Sequence, residues 1–238
     1  MQDVVLGVLI PLLGTTIGSF IAIIFKNEIK ENIYKIIIGF AAGVMMAANI
    51  WSLIIPAIEL SGENKFTCFI PASIGLIIGI LFLLLFDFLM KDKNVNMLNF
   101  SVIIHNIPEG FSVGVAFALA LTNDIGYMST AFLLAIGIGI QNIPEGSVIS
   151  LNMLKYKSKP KAIFYGFLSG VVEPIASVVA IFLIFIIQPI LPYTLAFAAG
   201  AMLYVVINEL TPFCYGVYGT IGFSIGFCIM MILDVMLG

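Results

Sequence analysis

The chain has 238 residues, 61% hydrophobic and 10% charged, with a formal net charge of −3 and a mean hydropathy of +1.18. Soluble domains carry about 45–50% apolar and about 25% charged residues, so the composition excludes a water-soluble globular domain and points to an all-α, polytopic protein of the cell (inner) membrane. The acidic balance and the lack of any arginine exclude nucleic acid as a partner.

Apolar runs of about 18 or more residues mark membrane-crossing helices. Eight are expected, at roughly 4–25, 33–58, 69–90, 98–122, 127–154, 161–187, 193–211 and 217–237, in one transmembrane domain covering 1–238. The first has no basic segment before it and no convincing cleavage site, so it reads as a span and not a removable signal. Polar breaks separate the spans, with QPILPY between the sixth and seventh. Lysine follows the breaks in alternation. Lys26, Lys30, Lys35, Lys91, Lys93, Lys155, Lys157, Lys159 and Lys161 fall on one set, and only Lys65 on the other. Positive residues stay in the cytoplasm, which predicts that both termini face outside. Cys68, Cys214 and Cys228 are far apart in sequence and read as small buried apolar residues.

In the second span, AAGVMMAANIWSLIIP (41–56) resembles AAGAMLYVVINELTP (198–212) in the seventh. The two spans run in opposite directions, as in the inverted repeats of transporters, whose substrate sites lie near the midplane. Asn49 and Ser52 in the second span are candidate entrance residues, and Asn208 and Glu209 in the seventh are candidate exit residues. Glu59 and Glu63 read as solvated loop charges.

The fourth and fifth spans carry the costliest residues. HNIPEG occupies 105–110 and QNIPEG 141–146. Ionisable groups at mid-membrane cost roughly 2.5–3.5 kcal/mol each on insertion scales, and they mark functional sites by default. Glu109 and Glu145, with Glu173 of SGVVEPIAS (169–177) in the sixth span, have no basic residue nearby in sequence to pair them. A bound cation relieves that repulsion. His105 and Glu109 share a helix face at i and i+4, as do Gln141 and Glu145, while Asn106 and Asn142 sit about 100° round. Two adjacent helices with matching sets predict two neighbouring metal positions that share the glutamates. Pro108, Pro144 and Pro174 each free a carbonyl one turn back, which is tolerated beside a cavity or other protein.

The paired hexamers, the Glu-Pro of the sixth span and AAGxM in the second and seventh resemble the ZIP family of divalent-metal transporters, in its bacterial GufA-type branch. The resemblance covers essentially the whole chain. It implies uptake of a divalent metal into the cytoplasm, zinc first, with iron, manganese or cadmium as further cargoes, and no separate cofactor. It also implies a 3+2+3 arrangement of spans with inverted repeats, a homodimer, and movement of an elevator kind. By position, it implies one metal site from His105, Glu109, Gln141 and Glu145. A second would use Asn106, Glu109, Asn142, Glu145 and Glu173. Two departures stand out. Gln141 replaces a histidine common in the family, which leaves His105 as the sole histidine, and the loop after the third span is only about KDKNVN, too short for a histidine-rich segment. One imidazole among oxygen ligands makes a harder, less zinc-selective set.

Two other classes compete with this reading. A proton channel or cation antiporter could use the glutamates but needs fewer ligands than these hexamers supply. An intramembrane metal-dependent hydrolase would need a richer histidine set, and HExxH is absent. The expectation is therefore a transporter and not an enzyme.

Overall fold

The computed structural model describes residues 2–24, 30–90, 97–122, 126–154 and 156–237. Eight helices there are long and apolar enough to cross a membrane: Gln2–Ile24, Glu31–Glu59, Phe69–Leu89, Ile103–Leu121, Met128–Leu154, Lys159–Phe182, Ile184–Cys214 and Val217–Met236. They are called spans one to eight. Lipid offers no partner for backbone N–H and C=O groups, so each span satisfies its own as a helix. No strand occurs among the described residues. Lys26, Lys91, Lys93 and Lys155 lie outside them. Lys159 donates from Nζ to the Ile23 carbonyl at 3.1 Å, which puts the start of span six and the end of span one on the same side.

The spans lie where hydropathy puts them, with one correction. The break between spans six and seven is not at QPILPY. Span six ends at Phe182, the helix is interrupted at Leu183 (φ −108°, ψ 30°), and a helix from Ile184 to Tyr204 carries both Pro189 and Pro192 inside it. Paired prolines signal a turn in a soluble chain, but within a membrane bundle neighbouring groups tolerate the carbonyls they free. The Glu-Pro of span six does break its helix. Pro174 cannot donate to Gly170, and the ladder stops at Gly170 and resumes at Val172. Pro108 and Pro144 sit inside unbroken helices.

Helix pairing follows small residues. Span two packs on span eight, where Gly39 meets the Gly219 backbone and Gly222 the Ile36 backbone. Span three packs on span seven in the same way, with Gly79 against Phe197 and Gly200 against Leu76. Span one packs on span five through Gly14 and Gly139, and span four on span six through Gly110 and the Glu173 backbone. Exchanging spans one to three with six to eight, and four with five, turns each of these pairs into another. The AAG repeat read from sequence is therefore a repeat of packing.

The two repeats share a second feature. Spans two and seven each contain a six-residue π-helical segment, Asn49–Ile54 and Val205–Leu210. Both lie just before a proline, Pro56 and Pro212. The N–H of Ile55 bonds the Ile50 carbonyl, and that of Thr211 bonds Val206, so both ladders widen to i−5 at equivalent places. Widened turns of this kind favour functional sites.

Candidate metal centre

Spans four and five face each other across their hexamers. His105 Nε2 lies 3.2 Å from Glu145 Oε2. Gln141 Nε2 donates to Glu109 Oε1 at 3.1 Å. The first residue of each hexamer thus engages the glutamate of the other, and the two contacts mirror one another.

The asparagines turn to a third helix. Asn106 Nδ2 donates to Glu173 Oε1 at 3.0 Å and Asn142 Nδ2 to Glu173 Oε2 at 2.8 Å. Glu173 reaches them because Gly110 has no side chain: its Cα face rests on the Glu173 backbone, and any Cβ there would collide with it. Ser177, one turn on, donates to the Gly110 carbonyl at 2.8 Å and holds the same crossing. Span one closes the group, with Thr15 Oγ1 3.3 Å from Glu173 Oε1.

The structure therefore brings together all seven residues singled out in spans four, five and six. His105, Asn106, Glu109, Asn142 and Glu173 have no exposed surface, and Gln141 and Glu145 almost none. Five oxygens in this group are buried with no hydrogen-bond partner: Asn106 Oδ1, Asn142 Oδ1, Gln141 Oε1, Glu109 Oε2 and Glu145 Oε1. Buried acceptors without donors are costly, at about 1–3 kcal/mol each, and five in one group are a set that a cation could satisfy. Among the described residues no three His, Cys, Asp or Glu side chains close a cage by themselves. Amides fill the gaps between the carboxylates, so the donor set is mixed.

The path residues lie elsewhere. Asn49 is buried, donates to the Ala199 carbonyl of span seven at 3.1 Å, and leaves its Oδ1 unpartnered. Ser52 donates to Asp234 Oδ1 at 2.8 Å. Ser52 and Asp234 border a cavity of about 410 Å³ between spans two, five and eight, also lined by Trp51, Glu59 and Thr130. Asn208 is exposed and Glu209 half-buried on the π segment of span seven. Close by, Tyr204 donates to Asp87 Oδ2 at 2.9 Å. Among the described residues, no hydrogen bond joins these four path residues to Glu109, Glu145 or Glu173. Sequence reasoning missed two residues. Asp234 is a charged residue inside a span, which was signal enough. Thr15 gave none, because its role depends on which helices meet.

An all-helical, eight-span bundle with a buried, acceptor-rich polar group where inverted repeats meet is the architecture of a membrane transporter for a cation. The ZIP zinc transporter family model matches residues 92–234, which include both hexamers and Glu173. Zinc transporter ZIP11 of Xenopus tropicalis is 32% identical, covering 98% of this chain and 96% of its own. Zinc transporter GufA of Myxococcus xanthus is 31% identical, over 95% and 96%. Zinc transporter ZIPB of Bordetella bronchiseptica is 29% identical, over 98% and 81%. The chain belongs to the ZIP zinc transporter family: it is a multi-pass membrane protein whose activity is divalent-metal transport and not catalysis.

Proposed function

We propose that the chain carries zinc into the cytoplasm through a binuclear site near the middle of the membrane, with iron, manganese and cadmium as alternative cargoes. The observation that carries this reading is the group of five partnerless oxygens on two mirrored hexamers. One cation would sit among His105, Glu109, Gln141 and Glu145. The second would sit among Asn106, Glu109, Asn142, Glu145 and Glu173. Glu109 and Glu145 each use one oxygen in a cross-span contact and keep the other buried and unpartnered, which supports their reading as ligands.

Cations would enter past Ser52, Asp234 and Asn49, where the cavity carries acidic groups, and leave past Asn208 and Glu209. Both termini would face outside and the chain would sit as a homodimer in the inner membrane, the orientation resting on the lysine alternation. Metal counting on purified protein tests the bridged pair. Two cations per chain are expected, with occupancy of both positions lost on replacing either Glu109 or Glu145 by alanine. One cation per chain, unaffected by Glu145→Ala, would contradict it.

A further inference from the structure

The inverted repeat can be followed residue by residue. Gly43 of span two and Gly200 of span seven are the glycines of the two AAG runs. Gly43 rests on the backbone of Phe223 and Phe227 in span eight, and Gly200 on that of Leu76 and Ile80 in span three. A second crossing gives the same register: Gly226 meets the Phe40 carbonyl as Gly79 meets that of Phe197. Phe227 and Ile80 are therefore counterparts. Seven residues beyond each stands an aspartate, Asp234 in span eight and Asp87 in span three. Odd- and even-numbered spans run in opposite directions, so the two carboxylates lie towards opposite faces of the membrane.

Both carboxylates are held in the same way. Ser52 of span two donates to Asp234 Oδ1 at 2.8 Å, and Tyr204 of span seven donates to Asp87 Oδ2 at 2.9 Å. Each hydroxyl comes from a span with a π segment: Ser52 lies inside one, and Tyr204 immediately precedes the other. The Tyr204 side chain is buried, while Asp87 is half-buried. Asn208 hydrogen-bonds the same hydroxyl, and the charges of Asp87 and Glu209 act on one another. Tyr204 therefore joins Asp87 to the two residues past which cations would leave.

Charged residues within a span mark ion paths by default. A carboxylate oxygen that accepts one hydroxyl keeps a lone pair, so such a tether fixes the charge in place and leaves it able to meet a cation. A group already fixed does not have to be ordered each time a cation arrives.

We propose that Tyr204 is the positioning residue of the inner mouth: it holds Asp87 as Ser52 holds the repeat counterpart Asp234 at the outer mouth, and the two tethers exchange kinetic roles when transport is reversed. This rests on the transport path proposed above. A cation moving inwards meets Asp234 first and Asp87 last, and one moving outwards meets them in the opposite order. Loss of the tether where the cation arrives slows capture and raises KM. Loss of the tether where it departs slows release and lowers the maximal rate.

The test is zinc transport by full-length wild type, Ser52→Ala and Tyr204→Phe in right-side-out and inside-out membrane vesicles. Equilibrium zinc binding and thermal melts on the purified proteins accompany it. In right-side-out vesicles Ser52→Ala should raise KM and Tyr204→Phe should lower the maximal rate, each by roughly two- to tenfold, the net worth of one hydrogen bond. In inside-out vesicles the two effects should change places. Equilibrium zinc affinity and melting temperature should stay at wild-type values in Tyr204→Phe. If the wild type transports zinc inwards only, a cycle with Asp87→Ala decides, and Tyr204→Phe should have no further effect in that background. An undiminished effect there would overturn the proposal. So would wild-type kinetics in Tyr204→Phe, a change in the same parameter in both directions, or a lowered melting temperature with weakened zinc binding, which marks a structural role. Folded wild-type protein with no zinc flux in either direction would overturn the transport path itself.

Discussion

His105 and Gln141 occupy equivalent places, and they are the only non-identical residues of the two hexamers. That difference should set metal preference. His105→Gln removes the one nitrogen donor and should weaken zinc by more than roughly tenfold, a loss even an outer-shell partner can cause, while manganese, which favours oxygen, should suffer less. Gln141→His should do the reverse and raise the zinc-to-manganese affinity ratio. Competition binding with both metals checks the pair. The hexamers and Glu173 were legible in sequence because ionisable residues are expensive in lipid and a repeated phrase is hard to miss. The convergence of Thr15, Asn106 and Asn142 on Glu173 was not. It depends on Gly110 letting span six approach span four, and on Thr15 arriving from a helix 158 positions away in sequence.

Among the elements, the closest crossings are the most sensitive to substitution. Gly146 rests on the carbonyl of Thr15, and any side chain there meets backbone and not a movable tip. Gly146→Leu should destabilise the protein by about 1–3 kcal/mol through overpacking, read as a lower melting temperature in detergent, with metal binding weakened because Thr15 is displaced. Gly137 has open space around it, so Gly137→Ala should leave the melting temperature unchanged. Hydropathy located the spans well, since eight long apolar runs leave few other solutions. It placed the break between spans six and seven wrongly, because Pro189 and Pro192 were read by the rules of water-exposed turns and stand inside a helix. The π segments were not visible at all. Asn49–Ile54 and Val205–Leu210 share a following proline, but nothing in the letters says that the ladder before it widens instead of kinking.

For the whole molecule, the inverted repeat has a functional consequence. The cavity beside Ser52 and Asp234 opens on span two, and the Asp87, Tyr204 and Glu209 group lies on spans three and seven. If cations enter by the first, Asp234→Asn should raise KM for uptake by severalfold with little change in maximal rate, because it removes charge from the entrance and leaves the centre intact. Proton competition should act at the centre. His105 must be neutral and the carboxylates deprotonated to bind metal, so lowering pH adds protons to the ligands and weakens binding, by up to about tenfold per pH unit for each proton displaced. Affinity measured across pH 5 to 8 should rise with pH, with a shallower slope in His105→Gln.

The two hexamers are proposed to carry a divalent metal across the membrane. Uptake into proteoliposomes tests it most directly, with zinc, iron(II), manganese and cadmium offered separately to the wild type, Glu109→Ala and Glu145→Ala. Zinc flux is expected in the wild type and its loss in both variants, each shown to be folded and inserted. Zinc flux that survives both substitutions, or no flux of any metal from folded wild-type protein, would contradict it.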